Sequence, residues 1–355
     1  MKRRKAGRGG SVASREPDGL DRLGEFGFIA RMARPFIREL PAGVEGIGDD
    51  CAVMPWTKGE RLLVTTDMLL ENRHFIRNRV SGRDLGWKSL AVNLSDIAAM
   101  GGRPKWALLS LGIPGGVGLE WLDAFYKGWR EAARPFGVRL VGGDTTRSPG
   151  GIVISIVVGG TVRAGKEKLR SGAAAGDVVA VTGAVGDSGG GLKVLLAGGP
   201  EGRDEERLVR AHHRPRPHVE EGEWLAGRPG VRAMMDVSDG IDSDIRRIME
   251  RSRVGADIAL DRLPVSAVLR RVARKRGFEA VETAATGGED YCLLVTVAPE
   301  TFERTAGAFK RRFGRLLAAV GTIRTKASGL RYFLNGRPAH IRARGYDHFK
   351  SFRDS

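Results

Sequence analysis

Two cysteines in 355 residues, Cys51 and Cys292, leave no disulfide framework, and that scarcity fits a reducing cytoplasm. The longest apolar run beside a strand pattern, GIVISIVVGG at 151–160, is too short to span a bilayer. The basic start MKRRKAGRGG is followed by no apolar segment, so a secretory signal is not expected. The usual nucleotide signatures are missing as well. There is no G-x-x-x-x-G-K-[ST], which excludes a P-loop enzyme, and no Gly-rich loop, H-R-D and D-F-G set of the protein kinases. The six histidines show no metal-ligand spacing.

What is present is the composition of a globular protein, 41% hydrophobic and 28% charged, in a chain long enough for two domains. Glycine is abundant at 51 residues and clusters where strands meet helices. The formal net charge is +17, of which residues 1–24 supply only +4. The densest basic stretches, LRRVARKRG at 269–277 and FKRRFGR at 309–315, carry apolar residues at helical spacing. They read as solvated faces of amphipathic helices rather than as a nucleic-acid surface, although a basic field would also attract anionic substrates.

Residues 1–24 are charged, Gly-rich and aperiodic, so this basic tail is expected to be disordered, with a helix beginning over 24–36. Strands are expected at 61–67, 105–114, 138–146 and 151–160, with helices at 84–100 and 119–137 between them. A second half, 163–355, repeats the logic. Its strands are expected at 177–183, 231–236, 257–264, 286–297 and 321–323, and its helices at 186–196 and after Ser238 or Asp239, either of which would cap. Hairpin and crossover contexts are mixed, so the fold class is α+β in two domains, 25–162 and 163–355, joined near 160–175.

The chemistry lies in the acids. Asp49, Asp50, Asp67, Asp144, Asp236 and Asp239 sit at the ends of apolar strands beside Gly, Ser or Thr. Asp96 lies in AVNLSDIAAMGG, a helix otherwise fit for burial, three residues from Asn93 on one face. Carboxylates converging with no basic residue between them repel one another unless cations intervene. Oxygen ligands without His or Cys favour Mg²⁺, and Thr65, Thr66 and Ser238 add hydroxyls. Several Mg²⁺ ions between carboxylates and a polyphosphate suit phosphoryl transfer. GAVGDSGGGL at 183–192 resembles a phosphate-cradling turn before a helix, though close helix–strand packing explains it equally well.

Taken in order, GIGDDCAV, VTTD–HF, AVNLSDIAAMGGRPKW, LVGGDTT, LRSGAAAGDVVAVTGAVGDSGGGL, HHRPRP, MDVSDGIDSD, TGGEDY and GYDHF resemble the thiamine-monophosphate kinase family of the aminoimidazole ribonucleotide synthetase superfamily. The resemblance runs from residue 24 to 349. It implies a PurM-like two-domain fold whose N-terminal halves pair into a dimeric β-barrel. It implies ATP-dependent phosphorylation of thiamine monophosphate to thiamine diphosphate, with several Mg²⁺ ions, in a homodimer. Carried over by position, Asp50, Thr65, Thr66, Asp67, Asp96, Asp144, Asp236 and Asp239 would be metal ligands. Gly143, Asp144, Arg170, Ser238 and Tyr126 would meet ATP, and His74, Glu289 and Tyr346 would meet thiamine monophosphate. Glu289 suits an aminopyrimidine and Tyr346 an aromatic stack.

The chain departs from the family pattern TTDTLVEGVHF, reading TTDMLLENRHF instead. A family Gly at position 72 would permit φ > 0, which Asn72 tolerates better than most residues. Selenide water dikinases, in the same superfamily, carry a reactive Cys or selenocysteine in a Gly-rich N-terminal segment, and the tail here has no Cys. An RNA-binding protein on an inactive scaffold is disfavoured by the intact acidic set, a liability without its cations.

Overall fold

The computed structural model describes residues 40–341 and five isolated earlier positions, Gly27, Ile29, Ala30, Ile37 and Arg38. The basic tail, most of the helix expected over 24–36, and the GYDHF segment with Tyr346 lie outside the described residues. The elements below all belong to one unit, Leu40–Tyr346.

The chain is organised around α1 (Gly82–Ala99), which is apolar on every side rather than amphipathic, as a helix buried all round must be. Ser81 starts it: its Oγ accepts from the Asp84 N–H and donates to the Asp84 carboxylate. On one side α1 packs against α2 (Leu119–Ala133). At Gly86 an added Cβ would stand 1.9 Å from the Phe125 carbonyl oxygen, so glycine sets how closely the two helices approach. On its other sides α1 meets a sheet from each half of the chain.

The first sheet holds β1 (Ala52–Pro55), β2 (Glu60–Leu70), β3 (Arg103–Ile113), β4 (Arg139–Arg147) and β5 (Val153–Arg163) in the order β1-β2-β5-β3-β4. Only β3 and β4 run parallel. The second sheet begins after the connection at 164–177, where a join was expected. It holds β6 (Val178–Val181), β7 (Val231–Asp236), β8 (Val254–Ala259), β9 (Leu293–Val297), β10 (Ala318–Thr325), β11 (Leu330–Leu334) and β12 (Arg337–Ala339), in the order β12-β11-β8-β10-β6-β9-β7. Both sheets mix antiparallel with parallel pairs, which bears out α+β. One core cluster runs unbroken from Leu63 and Ile156 through Leu94 and Ile97 to Met234 and Val295, so α1 ties the two sheets together.

The helices of the second half are α3 (Asp187–Leu196), α4 (Arg203–His213), α5 (Val219–Ala226), α6 (Ile241–Ser252), α7 (Ala267–Arg276), α8 (Ala280–Thr286) and α9 (Pro299–Phe313). The basic stretches form outer faces, as expected. In α7, Leu269 and Val272 are buried, while Arg271 pairs with Asp204, and Arg276 with Glu205, both on α4. The cap expected for α6 is corrected. Its N-cap is Gly240 at φ 97°, so neither Ser238 nor Asp239 stands at the cap position. Instead the Asp239 N–H donates to Asp244, a carboxylate from within the helix, at 3.3 Å.

Among the described residues, the edge of the first sheet carries exposed apolar side chains. All nine residues of β4 are exposed, Leu140 (41%) and Val141 (62%) among them, and Met68 (55%) is exposed on β2. Such a patch on a sheet edge marks an interaction surface.

Candidate active site

Asp50 lies just before β1, Asp96 one turn from the end of α1, and Asp236 at the end of β7. Three elements far apart in sequence thus deliver three carboxylates to the junction of the sheets. One oxygen from each lies within 4.8 Å of the others. Asp67, on β2, is electrostatically close to Asp50 and Asp96. The backbone beneath is tied down by polar residues of α1. Thr65 Oγ1 donates to Asp96 at 2.5 Å, Ser95 Oγ to Asp236 at 2.7 Å, and Asn93 Oδ1 accepts from the Asp67 N–H at 3.1 Å. In the second half of α1, Asn93, Ser95 and Asp96 are the polar exceptions to an apolar stretch because they face the junction.

Crowding acids in a buried place makes ionisation costly. Burial, with the Asp50 charge, pushes Asp67 up to about 6. Burial with the neighbouring carboxylates raises Asp96 and Asp236 well above the usual range, against the hydrogen bonds from Thr65 and Ser95. A donor set of hard oxygens, mutually repelling and pre-positioned, fits Mg²⁺.

The other expected residues divide. Asp239 belongs to the same neighbourhood through Asp244, whose carboxyl burial and the Asp239 and Asp236 charges push up. Thr66 is exposed and, by strand alternation, faces away from Thr65 and Asp67, so its hydroxyl does not join the carboxylates. Asp144 does not join them either. It is exposed on β4, with β5 and β3 between it and the Asp67 strand, about 14 Å at three strand spacings. Beside it Gly143 (φ 153°) is obligatory, because a Cβ there would stand 1.8 Å from the Leu109 carbonyl oxygen of β3. Tyr126 is 38% exposed on α2. Arg170, expected toward ATP, has an acidic partner: its Nε and Nη2 donate to the two Asp50 oxygens at 3.1 and 2.8 Å. Ser238 accepts the Glu289 N–H on its carbonyl at 2.7 Å.

The phosphate-cradling reading of GAVGDSGGGL is overturned by a side chain. The Asp290 carboxylate occupies the N-terminus of α3, accepting from the N–H groups of Gly186 at 2.5 Å and Ser188 at 3.1 Å. A carboxyl group of the chain itself already takes two of the backbone donors that a phosphate would need.

Around Glu289 the structure shows what the sequence did not. Lys88 of α1 is 1% exposed in its side chain, and its Nζ lies 2.8 Å from Glu289 Oε1. His212 Nδ1 lies 3.2 Å from Glu289 Oε2 and 3.1 Å from Ser188 Oγ. Burial and then the Lys88 charge push His212 down to about 3, so its ring is neutral. Burial pushes Glu289 up, but the charge of Lys88 and its hydrogen bond outweigh it and hold the carboxyl below the ordinary range. His74 lies in the same neighbourhood, and its Nδ1 accepts from the Leu70 N–H at 2.9 Å. Asn72 has φ 64°, the conformation expected at that departure from the family pattern, while Arg73 and Met68 are exposed. The overlooked signal was Lys88 itself, a buried cation in the middle of α1, and the first half of HHRPRP.

Two sheets joined by a buried helix, with an oxygen-only acid cluster at the junction, define the class. The model of the AIR synthase related protein N-terminal domain matches residues 48–162, and that of its C-terminal domain matches 174–329. Within that class the chain belongs to the thiamine-monophosphate kinase family. The thiamine-monophosphate kinase of Haemophilus influenzae is 36% identical over 333 residues, covering 92% of this chain and 98% of the relative. That of Escherichia coli is 37% identical over 332 residues, with the same coverage. The solved structure of AaThiL complexed with AMPPCP and TMP matches with a TM-score of 0.79 at 32% identity, covering 95% of this chain and all of that one. Among the described residues no helix is long and apolar enough to cross a membrane.

Proposed function

We propose that this chain transfers the γ-phosphate of ATP to thiamine monophosphate, releasing thiamine diphosphate and ADP. The observation that carries the reading is the meeting of Asp50, Asp96 and Asp236 at one point, with Glu289 bonded through its N–H to Ser238, two residues after Asp236. A phosphate-monoester oxygen attacks the γ-phosphorus while the bond to the β-phosphate oxygen breaks. That nucleophile is already anionic near neutral pH, so no general base is required, and neutralising charge is the larger task. Asp50, Thr65, Asp67, Asp96, Asp236 and Asp239 would hold Mg²⁺. When bound, Mg²⁺ neutralises phosphate charge and aligns the two phosphates.

The chain's own groups do the rest. Arg170 sits beside Asp50, where phosphate charge would arrive, and Ser238 and Tyr126 flank the nucleotide. Glu289 accepts an N–H of the aminopyrimidine, His74 lines the same pocket, and Tyr346 is assigned to it from the sequence. Gly143 and Asp144 are assigned to the nucleotide although they stand on a distant edge strand. That distance, with the apolar exposure of β4, supports a homodimer in which the N-terminal sheets close into a shared barrel. Val141→Asp is accordingly expected to shift the protein from dimer to monomer in analytical ultracentrifugation while keeping its circular dichroism.

The direct test is turnover with ATP, Mg²⁺ and thiamine monophosphate, following thiamine diphosphate by chromatography, with thiamine as a parallel substrate. Diphosphate formed from the monophosphate alone is the expected result. No product from a protein that still binds ATP and Mg²⁺ would move the reading to another small anionic acceptor.

A further inference from the structure

Lys88 is a buried cation in the middle of α1, and burying an ammonium is expensive unless acceptors surround it. Its Nζ has two neighbours of that kind, Glu289 Oε1 at 2.8 Å and His212 Nε2 at 3.5 Å. The neutral ring of His212 then has one consistent assignment. Nε2 presents its lone pair to Lys88, and the proton sits on Nδ1, facing Glu289 Oε2 at 3.2 Å and Ser188 Oγ at 3.1 Å. Each Glu289 oxygen is thus held by a different donor. The backbone is held as well, at φ 66° with its N–H bonded to the Ser238 carbonyl. The Glu289 side chain remains 26% exposed, so lone pairs are left for a ligand.

We propose that Lys88, with His212, is a positioning residue that keeps Glu289 an acceptor-only carboxylate and so makes the pocket select an N–H donor over a carbonyl at the substrate's pyrimidine ring. The inference rests on the reading that Glu289 meets thiamine monophosphate. An ionised carboxylate clamped by an ammonium accepts hydrogen bonds and gives none. It pairs with the exocyclic amine of the aminopyrimidine and sets two acceptors face to face when that amine is replaced by oxygen. A site built around a hydrogen bond rejects the analogue lacking it far more strongly than an apolar pocket rejects a change of size. Lys88 itself need not touch the substrate.

The test compares kcat/KM for thiamine monophosphate and for its 4-oxo analogue, oxythiamine monophosphate, in four proteins: wild type, Lys88→Met, Glu289→Gln and the double variant. The wild type is expected to prefer the amino substrate by about a thousandfold. Lys88→Met is expected to narrow that preference at least tenfold, mainly by raising KM for thiamine monophosphate, with KM for ATP unchanged. In the Glu289→Gln background the same substitution should add less than twofold, because both act on one contact. If Lys88→Met does not fold, Lys88→Gln keeps a donor to Glu289 while removing the charge, and a partial narrowing is then expected. Equal losses for both substrates, a parallel rise in KM for ATP, or effects that add in the double variant would overturn the proposal and leave Lys88 a packing residue. A wild type that turns over neither compound would instead refute the functional reading beneath it.

Discussion

Asp236→Asn is expected to abolish turnover and, in the same protein without Mg²⁺, to raise the melting temperature. The two effects share one cause. Asp236 is buried among Asp50, Asp67 and Asp96, and its carboxyl is pushed far up by burial and then by the Asp50 charge. An amide of the same shape keeps an acceptor for Ser95 Oγ, 2.7 Å from the native oxygen, and removes one member of a repelling set. Each kcal/mol of relieved repulsion is worth about 1–2 °C in a chain of this size. Activity moves the other way. Losing a carboxylate that holds a charge-neutralising ion removes several kcal/mol of transition-state stabilisation, or about a thousandfold in rate. Differential scanning fluorimetry in EDTA and a turnover assay on the same preparation check both. A stabilised, fully active variant would remove Asp236 from the metal site; a destabilised one would show that the carboxylates are not in conflict.

The second large effect is on Mg²⁺ affinity as a function of pH. Asp67 stands at about 6, and Asp96 and Asp236 are raised well above the usual carboxylate range. Metal ligands must be deprotonated, so binding releases protons and affinity climbs with pH until the last acid has ionised. At pH 5 the dissociation constant is expected to be at least about tenfold weaker than at pH 7, from the Asp67 proton alone. Stability without metal has the opposite slope. A carboxyl whose folded pKa exceeds its unfolded value stabilises the fold fully below the unfolded pKa, and that contribution is lost as pH rises through the folded one. The metal-free melting temperature should therefore fall between pH 5 and 7, while added Mg²⁺ restores it most at the upper end. Calorimetric titration at several pH values, in two buffers of different ionisation enthalpy, counts the protons. Binding without proton release would overturn the assignment of Asp67.

Much of the site was legible because its residues break local patterns. Asp96 interrupts an apolar stretch of helix, Asp50 sits in a Gly-Asp-Asp turn, and Asp67 and Asp236 end apolar sequence runs; each was conspicuous before any contact was known. Asn72 was legible for the same reason: only a few residue types accept its φ of 64°. Lys88 and His212 were harder, since a lone Lys and a His pair have ordinary explanations until the partner carboxylate is seen. Short helices such as α8, and β11 and β12 at the sheet edge, carry too little periodicity to stand out. Asp290 misled in an instructive way. GAVGDSGGGL has the form of an anion site, and the anion proved to be part of the chain.

The sequence by itself determined the chemistry: an oxygen-only donor set, a two-part α+β layout and the exclusion of P-loop and disulfide architectures. Those follow from residue type and short-range spacing, which act within a few positions along the chain. Only the tertiary structure decided which acids share a point. Asp50, Asp96 and Asp236 meet because α1 is buried between two sheets, whereas Asp144 is kept apart by two intervening strands. Strand order and helix burial arise from contacts between residues far apart in sequence, and no local pattern encodes them.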